Sequence, residues 1–171
     1  MVLLWGAYET FARDVFIQAL NSRPALFGAL LKSPLKDRFQ TQQIFSYAAL
    51  EQHGFSLEKK LGSAGADGRD FSSPALLRVL FQHLFSGVED EWAKRNLAQT
   101  CEAPELWLLG HRRHVIAHRA GLVDDEYIRQ TGDHQQVGEM LAISNAEIDR
   151  ALWAVARVSG TLVVCSSHLG V

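Results

Sequence analysis

The sequence predicts an all-α fold, a compact helical bundle with short additional helices. Three observations point there. No segment sustains the apolar–polar alternation of a half-buried strand. Several segments repeat apolar residues at helical spacing. Helix-end signals recur: Ser-Pro pairs, a Ser-x-x-Glu capping box and a glycine after a basic turn. The 171 residues are 47% apolar and 21% charged, enough for a sizeable core in one domain spanning 1–171.

The first twenty residues read as an amphipathic helix. Glu9, Thr10, Arg13, Asp14 and Gln18 form its polar side, and Trp5, Tyr8, Phe11, Ala12, Val15 and Phe16 fill much of the rest. Glu9 and Arg13 stand four apart in the order that favours an ion pair. Pro24 ends the helix, because a residue before proline is pushed out of the helical region. A helical turn is expected over Ala25–Leu31. Ser33-Pro34 reads as the start of a longer helix reaching about His53, extendable over Phe55–Leu61. Gly62–Pro74, GSAGADGRDFSSP, reads as an internal loop because small and turn-forming residues dominate it. Ser73-Pro74 then caps a helix carrying Leu76, Leu77, Leu80, Phe81 and Leu84, and a short helix is expected over Glu89–Leu97.

Pro104 opens the helix that carries the chemistry, PELWLLGHRRHVIAHRAG, with Gly121 placed to stop it. A short helix over Asp124–Gln130, a turn at Thr131-Gly132-Asp133 and a few extended residues over Met140–Ile143 follow. The box Ser144-Asn-Ala-Glu147 starts the last helix, which runs through Ile148, Leu152, Val155, Ala156, Leu162 and Val163.

The net charge of −2 argues against a surface that is basic everywhere, but a local basic patch suffices for nucleic acid. Two cysteines without a CxxC pair give no disulfide framework and fit a reducing cytoplasm. MVLLWGAYETFARDVF has no basic leader and meets charges early, so neither a signal peptide nor a membrane span is expected.

His111, Arg112, Arg113, His114, His118 and Arg119 crowd six cationic or titratable groups into nine residues. His111, His114 and His118 fall within roughly a 60° arc of one helix face, a spacing compatible with zinc. Three arginines beside them repel a cation, and no carboxylate lies between Glu105 and Asp124. An ordinary half-exposed basic helix end accounts well for His111, and accounts for Arg112 and Arg119 about as well as phosphate binding does. Metal-free phosphodiester cleavage is the third reading. Histidine moves protons near neutrality, and arginine offers phosphate a permanently charged fork. At the helix C-terminus the dipole favours an imidazolium at His118, which suits a general acid. Arg113 and His118 are five apart, so an ideal helix points them about 140° away from each other. Their meeting requires a long arginine reach, a distorted helix or a second subunit.

RHVIAH, Arg113–His118, resembles the RxxxxH motif of the HEPN superfamily (higher eukaryotes and prokaryotes nucleotide-binding domains). Its continuation RAGLVDDEYI is similar to the branch called RiboL-PSP-HEPN, and the opening WGAYETFARDVF and the capped last helix also fit. The specific part covers about twenty residues; RxxxxH alone is a weak signal, and its continuation strengthens it. The resemblance implies a compact helical bundle, a homodimer and a metal-independent endoribonuclease of a defence or toxin–antitoxin system, with RNA as substrate and no cofactor. Such an enzyme leaves a 2′,3′-cyclic phosphate. It implies Arg113 and His118 as the catalytic pair with His114 as their polar helper, and Glu9 as a weaker supporting acid; Arg112 and Arg119 stand beside them as candidate phosphate-binding charges on the chemistry of arginine alone. An antitoxin or other regulatory protein is an implied partner. The alternatives are an inactive HEPN-like module binding RNA or protein, and a zinc-dependent hydrolase.

Overall fold

The computed structural model describes residues 1–39, 44–69 and 71–170. The fold is all-α. Among the described residues the only β pairing is an isolated antiparallel bridge between Leu122 and Met140.

Helix α1, Val2–Ser22, buries Trp5, Tyr8, Ala12, Phe16, Ala19 and Leu20, one stripe at three- and four-residue steps. The Glu9–Arg13 ion pair expected from spacing is not among the described ion pairs. Helix α2, Leu26–Leu31, occupies the turn foreseen for it. The long helix expected from Ser33 to about His53 does not form. The Ser33 hydroxyl accepts from the Leu35 amide at 3.0 Å, and a 3-10 turn covers Lys36–Arg38. Ser46, in extended conformation, caps a separate helix α3, Tyr47–Gln52, by accepting from the Ala49 amide. Residues 40–43 of that expected helix lie outside the described residues. Phe55 and Lys59 adopt left-handed backbone, so α3 does not extend toward Leu61.

The segment read as a loop from Gly62 contains helix α4, Leu61–Ala66, and its Gly62, Ala64, Gly65 and Ala66 are buried. It lies directly on α1. A Cβ at Gly62 would sit 2.1 Å from the Ile17 carbonyl oxygen, so only glycine permits this approach. Asn21 Oδ1 accepts from the Gly62 amide at 2.7 Å and fixes the contact. Over Gly62–Ala66 the small residues signal close helix packing, not a loop.

Helix α5, Pro74–Leu84, has the Ser73 cap and first-turn proline foreseen. Helix α6, Glu91–Cys101, starts at an Asp90 cap and runs a turn beyond the expected end. Helix α7 is Pro104–His118, α8 is Asp125–Thr131 and α9 is Asn145–His168 with the capping box at Ser144 and Glu147. α9 packs on α1, α6 and α7, while α5 bridges α2, α6 and α7. The main core gathers Trp5, Tyr8, Phe16, Leu20, Leu30, Phe81, Phe85 and Leu162, all fully buried. A second, smaller cluster of Val115, Val123 and Tyr127 joins α7 to α8.

Candidate functional site

Helix α7 changes its buried side along its length. Leu106, Leu109 and Gly110 face the main core, and Gly110 lets Pro74 and Trp5 approach. Arg112 and Val115 are also buried, yet lie about 110° and 170° round the helix from the centre of that stripe. They face the second cluster and the chain that follows α7. The helix therefore has no single amphipathic stripe, and its cations cannot all share one exposed face.

Arg112 is the clearest case. It is 3% exposed. Its Nε donates to the Tyr127 hydroxyl at 3.1 Å, and its Nη2 donates to Asp133 at 3.3 Å and to Glu147 at 2.7 Å. The Tyr127 hydroxyl in turn donates to Asp133 at 2.6 Å. Its Nη1 is buried without a hydrogen-bond partner among the described residues. Burial alone would weaken the guanidinium charge, but the bonds to Glu147 and Tyr127 outweigh it and hold the proton more firmly. The Arg112 bond, followed by the Ser144 amide, pulls the Glu147 carboxyl down to about 2. For Asp133, burial pushes upward but the Tyr127 and Arg112 bonds win, so its carboxyl is held low. Arg112 is thus a structural clamp joining α7, α8 and the cap of α9. The phosphate-binding role expected for it is corrected: its charge is already matched by two carboxylates and turned away from solvent.

His111 is half-buried against Trp107, ring centroids 4.4 Å apart. Burial and then the neighbouring His114 lower its pKa, favouring a neutral ring that packs. The three histidines do not converge. Among the described residues, no group of three or more His, Cys, Asp or Glu side chains is placed to hold a metal ion.

Arg113 and His118 do meet. An Arg113 Nη1 lies 3.1 Å from His118 Nε2, at the exposed end of α7. The arginine's reach spans the angular separation without a second subunit. Arg113 has only donors, so Nε2 must accept, which leaves the ring proton on Nδ1. His114 completes the group, its ring centroid 4.9 Å from that of His118. Arg119 is exposed and paired with Asp124 at 3.1 Å. The other oxygen of Asp124 caps α8 through the Tyr127 amide at 2.8 Å. Glu9 makes no described hydrogen bond or ion pair with Arg113, His114 or His118.

The chain after α7 frames this cluster. His118 ends the helix, Ala120 and Gly121 take positive φ of 52° and 81°, and the Gly121 amide returns to the Val115 carbonyl at 3.1 Å. Leu141 donates to the Gly121 carbonyl at 2.8 Å, and Val123 donates to that of Glu139 at 2.9 Å. Spacing in the sequence singled out Arg113, His114 and His118. It missed Tyr127, Asp133 and Glu147 as the partners of Arg112, because contacts between distant residues leave no local signal. No protein-family model, no curated protein and no solved structure matches the chain.

Proposed function

We propose that the chain is a metal-independent endoribonuclease of a defence or toxin–antitoxin type, acting in the cytoplasm as a homodimer on RNA. The observation that carries this reading is the 3.1 Å contact between Arg113 and the accepting nitrogen of His118 on an exposed helix end, with His114 stacked beside it. In the proposed reaction His118 Nε2 takes the proton of a 2′-OH. The 2′-oxygen forms a bond to the adjacent phosphorus, and the bond from phosphorus to the 5′-oxygen breaks. His114, protonated, supplies the proton that the leaving 5′-oxygen needs. Arg113 turns from His118 to the phosphoryl oxygens as charge builds there. The products are a 2′,3′-cyclic phosphate and a 5′-hydroxyl. An antitoxin or other regulatory protein belongs to the same reading, as the partner that would hold the enzyme in check. No helix of the described residues is long and apolar enough to cross a membrane.

The test is RNA cleavage in excess chelator with mapping of product ends. Arg113→Ala and His118→Ala are expected to lose about 100-fold or more in kcat/KM. A substrate with sulfur in place of the leaving 5′-oxygen needs no proton on departure. It is expected to rescue His114→Ala but not His118→Ala. Equal cleavage by wild type, Arg113→Ala and His118→Ala sinks the reading. The dimer is checked by sedimentation at micromolar concentration, where a monomer with concentration-independent activity would remove it.

A further inference from the structure

Away from Arg113 and His118, α9 carries Arg150, Trp153 and Arg157 within roughly a 60° arc. These three line a cleft of about 160 Å³ with Ala103, Glu105 and Ala154. Trp153 is 72% exposed, an unusual state for the largest apolar side chain. Arg150 and Arg157 form no ion pair or side-chain hydrogen bond among the described residues, unlike Arg112 and Arg119. Two unmatched guanidinium groups thus flank one open aromatic plate, above a floor of small apolar side chains.

We propose that this cleft binds single-stranded nucleic acid. A base stacks on the Trp153 indole, and the phosphates on either side of it pair with Arg150 and Arg157. Stacking needs only the flat face that every base has, and cations spaced along a helix follow a backbone. Glu105 on the opposite wall confines phosphates to the α9 side and gives a base amino group an acceptor. Even with that carboxylate the cleft keeps a net positive charge. A protein partner is the less favoured occupant, because it would leave both guanidinium groups to be matched inside a cleft that holds little more than one planar ring. About 20 Å of helix separates Glu105 from His118 at the usual rise per residue. The inference rests on the ribonuclease reading only in calling the ligand RNA: the cleft would then hold the substrate's flank beyond the reacting pair.

The probe is a short, fluorescently labelled oligouridine with every 2′-OH methylated, which this chemistry cannot cut. Its binding to the full chain is followed by anisotropy over a salt series. Trp153→Ala is expected to weaken binding about tenfold or more, while Trp153→Phe retains most of it. Arg150→Ala with Arg157→Ala is expected to lower the salt slope by roughly 1.4. Unchanged melting temperatures establish that these exposed changes leave the fold intact. No binding by the wild type, full affinity in Trp153→Ala, or an unchanged salt slope in the double variant overturns the proposal. So does a Trp153→Ala variant that dissociates a dimer in sedimentation yet binds the probe normally, which would make the cleft a protein interface. Probe binding without RNA cleavage would remove the nuclease reading alone. Cleavage with Trp153-independent binding would remove this one alone.

Discussion

The main core and the small cluster under the candidate site are held together by opposite means. Where α4 meets α1, Gly62 lets backbone touch backbone, and the core beyond is aromatic and aliphatic. It even tolerates the buried Trp5 Nε1 and Tyr8 hydroxyl without hydrogen-bond partners among the described residues. Where α7 meets α8, the buried apolar cluster is just Val115, Val123 and Tyr127, and Arg112 with its two carboxylates does the joining. Burial of apolar surface is insensitive to pH and forgiving of direction. A charge-matched clamp is directional and fails sharply when one member is lost. Arg113, His114 and His118 project from the second kind of region. Their placement therefore depends on electrostatics more than on the large core.

The strongest way to separate the two regions is to remove one support from each. Arg112→Ala leaves Asp133 and Glu147 without their cation and is expected to cost about 3–4 kcal/mol. Hydrogen exchange is expected to speed up first in α8 and residues 122–141, with α1 and α4 still protected. Gly62→Ala drives a methyl into the Ile17 carbonyl and is expected to cost about 2–3 kcal/mol. Its exchange pattern should be the reverse, with α4 opening and α8 unaffected. Urea melts with exchange mass spectrometry measure both, and the same pattern in both variants would mean that the molecule has one cooperative unit rather than two supports.

These two sites also mark where the sequence could be read. Caps, first-turn prolines and the apolar stripe of α1 are local signals, and Ser73, Asp124 and Ser144 act as such residues should. Gly62 misled because a glycine chosen for close approach and one chosen for a loop are the same letter. Its true reason, Ile17, lies on another helix. Arg112 misled for the same physical reason, since its partners are 15, 21 and 35 residues away. Arg113 and His118 were legible because both sit on one helix. Even there, the arginine's reach decided a contact that ideal helical angles denied. The Arg150–Trp153–Arg157 grouping was not read from the sequence, because its meaning requires the cleft wall that Thr100 of α6 and Glu105 of α7 supply.

Acid offers a gentler test of the same contrast. Folding lowers the Glu147 carboxyl to about 2 from the ordinary 4.5, through its bond with Arg112, and holds Asp133 low as well. A depressed folded-state pKa means that the unfolded chain takes up the proton first. The stabilisation is therefore complete above about pH 4.5 and lost as pH falls toward 2. After allowance for solvent around Glu147, its loss is expected to cost on the order of 1–2 kcal/mol. Melting temperature followed from pH 6 to pH 2 in about half-unit steps should fall across that window in the wild type. It should fall less in Arg112→Ala, whose carboxylates have lost the cation. Parallel curves for the two proteins would break the assignment of the acid sensitivity to this clamp.

The smallest effect tests the edge between the regions, in the turn that follows α7. Ala120 is exposed and holds φ of 52°, a conformation that costs an L-residue about 1–2 kcal/mol and glycine almost nothing. Glycine also makes the unfolded chain more flexible, which returns roughly 0.4–1 kcal/mol of that gain. The net expectation for Ala120→Gly is a stabilisation of about 0.5–1 kcal/mol, or roughly 2 °C in calorimetry for a chain of this size. Because the Gly121 amide still bonds to Val115 and Arg112 is untouched, the clamp keeps its geometry. RNA cleavage by the variant is therefore expected to match the wild type. A stabilised protein with markedly slower cleavage would show that the strained turn itself, two residues after His118, sets the position of the reacting pair.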